Sequence, residues 1–409
     1  MPTFHCGLEA WLANPRMADA WGNCALLCNQ ASVTRDFEPA WNVAQRLLGS
    51  RLKALLGPQH GFYGTAQDNM IETHHVRDEI LGIPIYSLYS ETRQPTPEML
   101  NGIDTLIIDL QIVGCRIYTW KATIAACLRA AVRDGKRVVV LDRPNPVGGE
   151  ILEGRVLDMD AASFVGEFPI PMRHGLTAGE AAKFFNVTIK SELEVVSLEG
   201  WRSDMLWNDL NRPWILTSPN LPTIDPVHVY PGLVILEGTN ISEGRGTGLP
   251  FQFVGAPYIK RSADLVKRVI DLLGLAPGQH PPGLFLRAAS FEPTSGKWMK
   301  RLCNGIQVHV VEPSKVRSFD LALALVRACI ELSEGAFAWK DPPYEYDLVT
   351  LPMKLIIGSQ RADQKFLDER FSLDDPFWHS GIQDFASEVQ DSLIYPRSNG
   401  PMARRPHSR

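Results

Sequence analysis

Short apolar runs separated by helix-length stretches recur along the first half of the chain. Four of them are rich in aliphatic or β-branched residues and end in a polar cluster: 24–33, 52–56, 103–108 and 137–141. Near-continuous apolar runs of this length are typical of parallel strands that are buried on both faces. The pattern therefore predicts βαβ units and an α/β fold.

Several predicted helices have recognisable ends. Residues 96–97 offer a threonine N-cap followed by proline at the first helical position, and residues 177–180 fit a capping box. The stretch 123–134 is amphipathic and stops at Gly135, the residue type that most often terminates a helix. Two further helical patterns lie at 262–273 and 319–332.

A segment dense in proline and turn residues, 213–232, marks a change of character along the chain. Such a segment is either a linker or a structured active-site loop, and we take it as the boundary region. The predicted organisation is an N-terminal arm over 1–22, a first domain over 23–225, a second domain over 226–395 and a mobile tail over 396–409.

Composition and charge exclude several classes of protein. The 409 residues carry 41 Lys and Arg against 46 Asp and Glu, a net charge of −5, which argues against a nucleic-acid partner. With 45% hydrophobic and 21% charged residues, the chain has the composition of a globular protein. We see no apolar run long enough to span a membrane and no signal peptide in the first twenty residues. We therefore expect no membrane partner.

The cysteines and histidines do not predict a metal site. Seven cysteines are scattered along the chain, an odd number that suits a reducing compartment, so we expect a cytoplasmic protein. No pair of histidines has the spacing of zinc ligands. The glycine-rich phosphate-binding and dinucleotide-binding patterns are missing as well, so no cofactor is predicted.

Polar side chains follow three of the predicted strands. In an open parallel sheet, ligands bind beyond the carboxyl ends of the strands, and these side chains should meet there. An aspartate that only caps the following helix is the alternative for each position taken alone. The clusters are Gln59 with His60, Asp109 with Gln111, and Asp142 with Arg143 and Asn145.

A second candidate cluster lies in the glycine-rich stretch 236–248. Glycine lets the backbone approach a ligand closely, so this loop is either a cradle for a polar ligand or an elaborate turn. Its polar residues are Glu237, Asn240, Glu243 and Arg245. Outside it, His174 either reaches the ligand edge or is a satisfied loop histidine.

These clusters resemble the landmarks of one family. The segments that carry the likeness are 56–62, 109–119, 141–146, 173–177, 218–220, 230–232 and 237–247. They are similar, in the same order over nearly the whole chain, to the exo-β-N-acetylmuramidase (NamZ-type) glycoside hydrolases, formerly a domain of unknown function. The resemblance implies a Rossmann-like parallel sheet domain, a smaller α+β C-terminal domain and a cleft between them. It implies an enzyme that releases terminal N-acetylmuramic acid from peptidoglycan fragments in cell-wall turnover or recycling, without a bound nucleotide.

Two positions depart from the family pattern. Gln59 stands where the family usually has glutamate, and Ile112 stands where it usually has aspartate. An amide cannot protonate a leaving oxygen, so another group must take over that role or the protein is inactive. Asp68 lies nearby, but we predict that Glu72 or His60 supplies the proton and that Gln59 contacts the substrate.

Glycoside hydrolysis needs a protonated acid and a second group at the oxocarbenium-like centre, which is either a carboxylate or the substrate's own acetamido group. The lactyl carboxylate of N-acetylmuramic acid calls for a cation, either Arg143 or Arg245. The predicted catalytic residues are His60, Glu72, Asp109, Asp142, Glu237 and Glu243. The predicted substrate-binding residues are Gln59, Gln111, Tyr118, Arg143, Asn145, His174, Asn220, Asn240 and Arg245.

Two other functions are possible on this sequence. A catalytically silent muropeptide-binding protein or sensor would keep the cleft, and Gln59 and Ile112 motivate it. A nucleotide-dependent oxidoreductase rests on the fold class alone and is disfavoured.

Overall fold

The computed structural model describes residues 4–68 and 70–398. A seven-stranded sheet lies at the centre of the N-terminal part, and six of its strands run parallel. In chain order the strands are β1 (Cys24–Leu27), β2 (Leu52–Gly57), β3 (Val76–Arg77), β4 (Pro84–Ser87), β5 (Thr105–Ile108) and β6 (Arg137–Leu141), and Glu192–Val196 is the last. Across the sheet the order is β3, β4, β2, β1, β5, β6 and the Glu192–Val196 strand, with β3 antiparallel to β4. The predicted α/β class is confirmed.

The apolar runs account for the centre of this sheet. Every residue of β1 and β5 is buried, because helices or loops cover both faces. Leu27, the last residue of β1, lies beside Leu56 of β2 and Ile108 of β5. The polar residues that follow these strands therefore come out at one edge of the sheet.

The helices of the N-terminal part are α1 (Gly7–Ala13), α2 (Ala40–Leu48), α3 (Trp120–Asp134) and α4 (Ala178–Ile189). As predicted, α3 stops before Gly135, which adopts a left-handed conformation with φ of 63°. The capping box at the start of α4 is also present, since Glu180 and Thr177 exchange hydrogen bonds of 3.1 Å. The helix predicted after Thr96 is wrong: residues 97–102 form turns only.

The C-terminal part combines helices with a small antiparallel sheet, which confirms the predicted α+β arrangement. In the first half, β7 (Glu153–Val156) pairs with β8 (Pro171–Arg173) before α4, and the strand after α4 is β9 (Glu192–Val196). The second half contains α5 (Ile224–Leu233), β10 (Phe253–Ala256), α6 (Ser262–Leu272), β11 (Leu284–Phe291), β12 (Cys303–Val310), α7 (Ser318–Leu332), α8 (Pro352–Ile357), α9 (Ala362–Leu367) and α10 (Ile382–Glu388). Strand β12 lies between β10 and β11.

Short 3₁₀ helices occur at Pro15–Ala20, Gly49–Arg51, Met159–Ala161, Trp207–Leu210, Val234–Gly238, Pro313–Lys315, Pro376–His379 and Gln390–Ser392. Within the described ranges, no helix combines the length and apolar character that crossing a membrane requires.

A buried arginine, Arg116, connects the two parts of the chain. The fully buried Arg116 donates from Nη1 to the carbonyls of Arg155 and Ile170, at 2.8 and 2.9 Å. Its Nη2 donates to the carbonyls of Ile356 and Ile357 in α8, at 2.9 and 2.8 Å. The side chain of Arg116 thus connects the loop after β5 to α8 in the C-terminal part.

The ends of the chain pack on the central sheet. In the predicted arm, the backbone N–H of Gly7 donates to the carbonyl of Asp142 at 2.8 Å. At the other end, buried Arg397 pairs with Glu180 at 2.8 Å, so the chain stays packed through the first residues of the predicted tail. The remainder of that tail, 399–409, lies outside the described residues.

Candidate active site

A pocket opens where loops from both parts of the chain meet. The N-terminal part contributes side chains from the loop after β2 and from the turn that leads into α3. The C-terminal part contributes side chains from the glycine-rich loop and from the loop between α7 and α8. The lining residues are Gln59, His60, Ile117, Tyr118, Thr119, Ser218, Tyr230, Glu237, Arg245, Phe251, Tyr344 and Glu345.

Gln59 lies at the centre of a buried hydrogen-bond network. Its carbonyl oxygen accepts from the hydroxyl of Thr119, which orients the amide. Its Nε2 donates to the hydroxyl of Tyr89 at 3.1 Å and to Oε1 of Glu345 at 3.2 Å. The Tyr89 hydroxyl donates to Oε2 of the same Glu345 at 2.7 Å. Gln59 and Tyr89 therefore hold a carboxyl group that sequence reasoning did not single out.

His60 lies in the turn after β2 with φ of 72°. Its Nδ1 lies 2.7 Å from the carbonyl oxygen of Ala66, which can only accept, so Nδ1 carries the hydrogen. Burial lowers the pKa of His60 to about 4. The ring is therefore neutral near pH 7 and offers Nε2 as an acceptor, which makes it a poor proton donor to a leaving oxygen.

The glycine-rich loop builds a compact charge cluster. Arg245 forms ion pairs with Glu237 at 2.7 Å and with Glu243 at 2.9 Å. Lys297 pairs with the other oxygen of Glu243 at 2.8 Å, and the hydroxyl of Tyr344 donates to Glu237 at 2.8 Å. These ion pairs hold the Arg245 guanidinium between two carboxylates.

The two glutamates of this cluster differ in their environment. Burial alone would raise the pKa of Glu243, but Lys297 and Arg245 outweigh it and lower that pKa to about 2. Both oxygens of Glu243 are occupied by these cations. Glu237 lines the pocket, whereas Glu243 supports Arg245 from behind.

Profiles of one protein family cover most of the chain. The family described as exo-beta-N-acetylmuramidase NamZ matches residues 24–225 with its N-terminal part and residues 228–395 with its C-terminal part. This chain belongs to the NamZ family. The family assignment predicted from the motifs is thereby confirmed.

Two kinds of relative agree with the assignment. The peptidoglycan beta-N-acetylmuramidase NamZ of Bacillus subtilis (strain 168) is 40% identical over 333 residues, which cover 81% of this chain and 78% of that protein. A DUF1343 family protein from Bacteroides fragilis NCTC 9343 superposes with a TM-score of 0.84 and 27% identity, covering 97% of this chain and 100% of its own. A second protein of that family and organism gives 0.68 and 22%, covering 96% and 99%, and supports the fold alone.

Five of the predicted site residues line this pocket: Gln59, His60, Tyr118, Glu237 and Arg245. Two others, Asn220 and Asn240, are partly exposed and are engaged by backbone groups. Asn220 donates to the carbonyl of Gln67 at 3.1 Å, and Asn240 donates to that of Ala336 at 2.9 Å.

Asp109 does not line the pocket. It is fully buried and forms a two-pronged salt bridge with Arg143, whose Nη2 lies 2.9 Å from Oδ2. Arg143 and Gln111 line a different small pocket, next to Trp207 and Arg212. The structure therefore does not bring the predicted Asp109, Gln111 and Arg143 together with Glu237.

Asp142 is also fully buried away from the pocket. One of its oxygens accepts from the backbone N–H groups of Arg143 and Gly179, at 2.8 and 2.7 Å. The other accepts from the hydroxyls of Thr177 and Tyr395, at 2.8 and 2.7 Å. Burial raises the pKa of Asp142 to about 7 against these hydrogen bonds. This carboxyl group caps α4 and anchors the end of the chain, which is the alternative considered for a strand-end aspartate.

Asn145 and His174 lie in the same buried layer. The side chain of Asn145 donates to the carbonyl of Leu176 and accepts from the N–H of Val147, at 3.1 Å each. His174 is fully buried, accepts from the N–H of Leu176 at 3.1 Å, and has its pKa lowered by burial to about 3. Both residues brace the loop that precedes α4.

Glu72 is set apart from the pocket lining. Its side chain is 54% exposed and pairs with Arg93 at 3.0 Å. The guanidinium of Arg93 in turn lies 3.7 Å from the ring centroid of Tyr346. A solvated, paired carboxylate in this position does not have the buried setting that a general acid needs.

Sequence reasoning missed Glu345, which lines the pocket, and Tyr89, whose hydroxyl donates to it. The stretch 342–346 reads Pro-Pro-Tyr-Glu-Tyr, in which an acid stands between aromatic residues after two prolines. That composition was the available signal. Its relevance depends on contacts across the cleft, which the local sequence does not reveal.

Proposed function

We propose that this protein is an exo-acting β-N-acetylmuramidase that removes the terminal N-acetylmuramic acid from peptidoglycan fragments. One observation carries the proposal: the chain is 40% identical, over 81% of its length, to a peptidoglycan beta-N-acetylmuramidase. The pocket supports it, because motif residues from both family domains meet there. A silent binding protein or sensor, the alternative raised by Gln59, is not favoured by this relative.

The polar lining suits a sugar. Tyr118, Thr119 and Ser218 line the pocket together with Gln59, and their hydroxyl and amide groups can bond hydroxyl and acetamido groups of a ligand. Phe251 and Tyr230 add apolar surface against which a sugar ring can pack. The pocket also offers acids to the glycosidic bond, as hydrolysis requires.

Arg245 is the cation that we propose for the lactyl carboxylate. Its guanidinium lines the pocket while two glutamates hold it in place. Arg245→Ala should weaken binding of N-acetylmuramic acid ligands by about 1.5–3 kcal/mol, with a much smaller loss for N-acetylglucosamine ligands, which lack the lactyl group. Calorimetry measures both; equal losses would assign Arg245 a structural role only.

We further propose that the enzyme acts in cell-wall recycling in the cytoplasm. All seven cysteines are buried as free thiols, which suits a reducing compartment. Fractionation of the producing cells would test the location, and recovery outside the cytoplasm would contradict it.

The activity test compares two chromogenic glycosides with the same leaving group, an N-acetylmuramide and an N-acetylglucosaminide. We expect release from the muramide and little from the glucosaminide. Release from neither by folded protein would overturn the hydrolase proposal. Saturable muramide binding by calorimetry without release would favour the silent binding protein.

A further inference from the structure

The loop between α7 and α8 delivers one carboxyl group to the pocket from the C-terminal part of the chain. Glu345 lines the pocket and is only 4% exposed. Its backbone has φ of 41°, and the next residue, Tyr346, has φ of 72°. Two consecutive residues other than glycine rarely adopt this left-handed region, and such backbone is typical of functional sites. The loop therefore holds Glu345 in a position that an ordinary turn would not reach.

Gln59 connects Glu345 to the position at which the resemblance implies a glutamate. The Gln59 amide is fixed by Thr119 and donates to Glu345 at 3.2 Å. Its own amide cannot give a proton to a leaving oxygen. The carboxyl group closest to the altered position in this hydrogen-bond network is thus Glu345, and it reaches the same pocket.

The surroundings of Glu345 favour a carboxyl group that keeps its proton. Burial raises the pKa of Glu345, while the hydrogen bonds from Tyr89 and Gln59 oppose the rise. Other titratable or charged groups facing it are Tyr344, Tyr346, Glu237 and Arg245. A carboxyl group with a raised pKa is the usual general acid of a glycosidase. By contrast, Glu237 and Glu243 are engaged in ion pairs.

We propose that Glu345 is the general acid of this site and supplies the proton that Gln59 cannot give. The proposal rests on the muramidase function proposed above. Gln59 and Tyr89 are its positioning residues, because they fix the two carboxyl oxygens. The predicted donors Glu72 and His60 are thereby replaced by a residue from the opposite side of the cleft.

The proposed step is acid-catalysed cleavage of the glycosidic bond. The glycosidic C1–O bond breaks, its electron pair goes to the leaving oxygen, and Glu345 transfers its proton to that oxygen to form a hydroxyl group. The positive charge at C1 is met either directly by one water molecule or first by the carbonyl oxygen of the substrate's acetamido group, whose bond to C1 the water then breaks. In either case one water leaves its hydroxyl group on C1 and its proton restores the carboxyl group of Glu345, so the net reaction is hydrolysis.

The test uses substrates with different leaving groups. A muramyl disaccharide has a poor leaving group that needs protonation, whereas dinitrophenyl N-acetylmuramide does not. Glu345→Gln should lower kcat/KM on the disaccharide by about a hundredfold or more, and far less on the dinitrophenyl glycoside. Glu334→Gln, the same change at an exposed residue of the C-terminal part, should alter neither rate. Equal losses on both substrates, or none, would overturn the proposal.

Two variants that keep Glu345 remain informative if Glu345→Gln does not fold. Activity needs protonated Glu345, so it falls as pH rises through the pKa of that group. Tyr89→Phe removes a hydrogen bond that lowers this pKa, so the alkaline limb should move to higher pH. Gln59→Glu removes a hydrogen-bond donor to Glu345 and places a second carboxyl group beside it. Both changes raise the pKa of Glu345, so the alkaline limb should move to still higher pH. An unmoved limb in both would contradict the assignment, whereas an inactive parent on every muramide would instead defeat the proposed function.

Discussion

Buried carboxyl groups have different surroundings in two regions of this molecule, the carboxyl edge of the central sheet and the pocket between the two parts. Asp109 and Asp142 belong to the sheet edge, and their partners are an arginine, backbone N–H groups and hydroxyls of the fold. Glu237 and Glu345 belong to the pocket and border a cavity. The carboxyl groups of both regions are buried, so burial alone does not identify a catalytic acid. What distinguishes Glu237 and Glu345 is that they border the pocket.

The largest expected effect concerns the sheet edge. Arg143→Ala would leave Asp109, a fully buried carboxylate, without its ion partner, and breaking such a pair costs about 3–5 kcal/mol. Urea unfolding measures the loss. Arg202→Ala, which removes an exposed pair with Asp204, should change stability by about 1 kcal/mol or less. Similar losses for both would mean that the Asp109 pair does not support the fold.

A second prediction concerns the charge cluster that supports the pocket. Because the pKa of Glu243 is about 2 in the folded protein and 4.5 as its ordinary value, the unfolded chain binds this proton first as pH falls. Stability from Glu243 is therefore present above pH 4.5 and lost below it, by about 2 kcal/mol between pH 5 and pH 3.

Urea unfolding across this pH range compares the parent with Glu243→Gln. The variant should start less stable and lose less stability on acidification, because it has no carboxylate to protonate. Parallel losses in the two proteins would show that Glu243 is not held by Lys297 and Arg245 as the structure indicates.

The smallest expected effect is at Glu72, which sequence reasoning offered as the replacement acid. Its exposed side chain lies outside the pocket lining, so Glu72→Gln should change turnover of a muramide by about twofold or less. A hundredfold loss in folded protein would restore Glu72 as the proton donor and would contradict the assignment of that role to Glu345.

Most of the fold could be predicted because the buried strands carry their own signal. The apolar runs at β1, β5 and β6 are nearly continuous, as is typical of strands covered on both faces, and the run at β2 is interrupted only by the exposed Lys53. Capping residues likewise predict the end of α3 at Gly135 and the start of α4 at Thr177. The stretch after Thr96 forms no helix although Met99 and Leu100 are buried, because the chain turns at Gly102, which has a left-handed φ of 72°.

The site was harder to predict, because its members are joined by packing across the cleft. Gln59 and Arg245 stand out in local motifs and do line the pocket. Asp142 also follows a strand, but nothing local shows that Tyr395, far along the chain, occupies its oxygen. Glu345 becomes meaningful only when its loop meets Gln59, which is 286 positions away.

The central claim is that the pocket glutamate acts on substrate while the sheet-edge aspartate holds the fold. The most direct measurement is kcat/KM on a muramyl disaccharide for Asp142→Asn and Glu345→Gln, each corrected for folded protein. Asparagine can accept from the two N–H groups at Asp142 and donate to the rotatable hydroxyls of Thr177 and Tyr395. We predict that Asp142→Asn stays within about threefold of the parent, in the range of a tolerated substitution, while Glu345→Gln falls by about a hundredfold or more. A loss at Asp142→Asn as large as that at Glu345→Gln would contradict the claim.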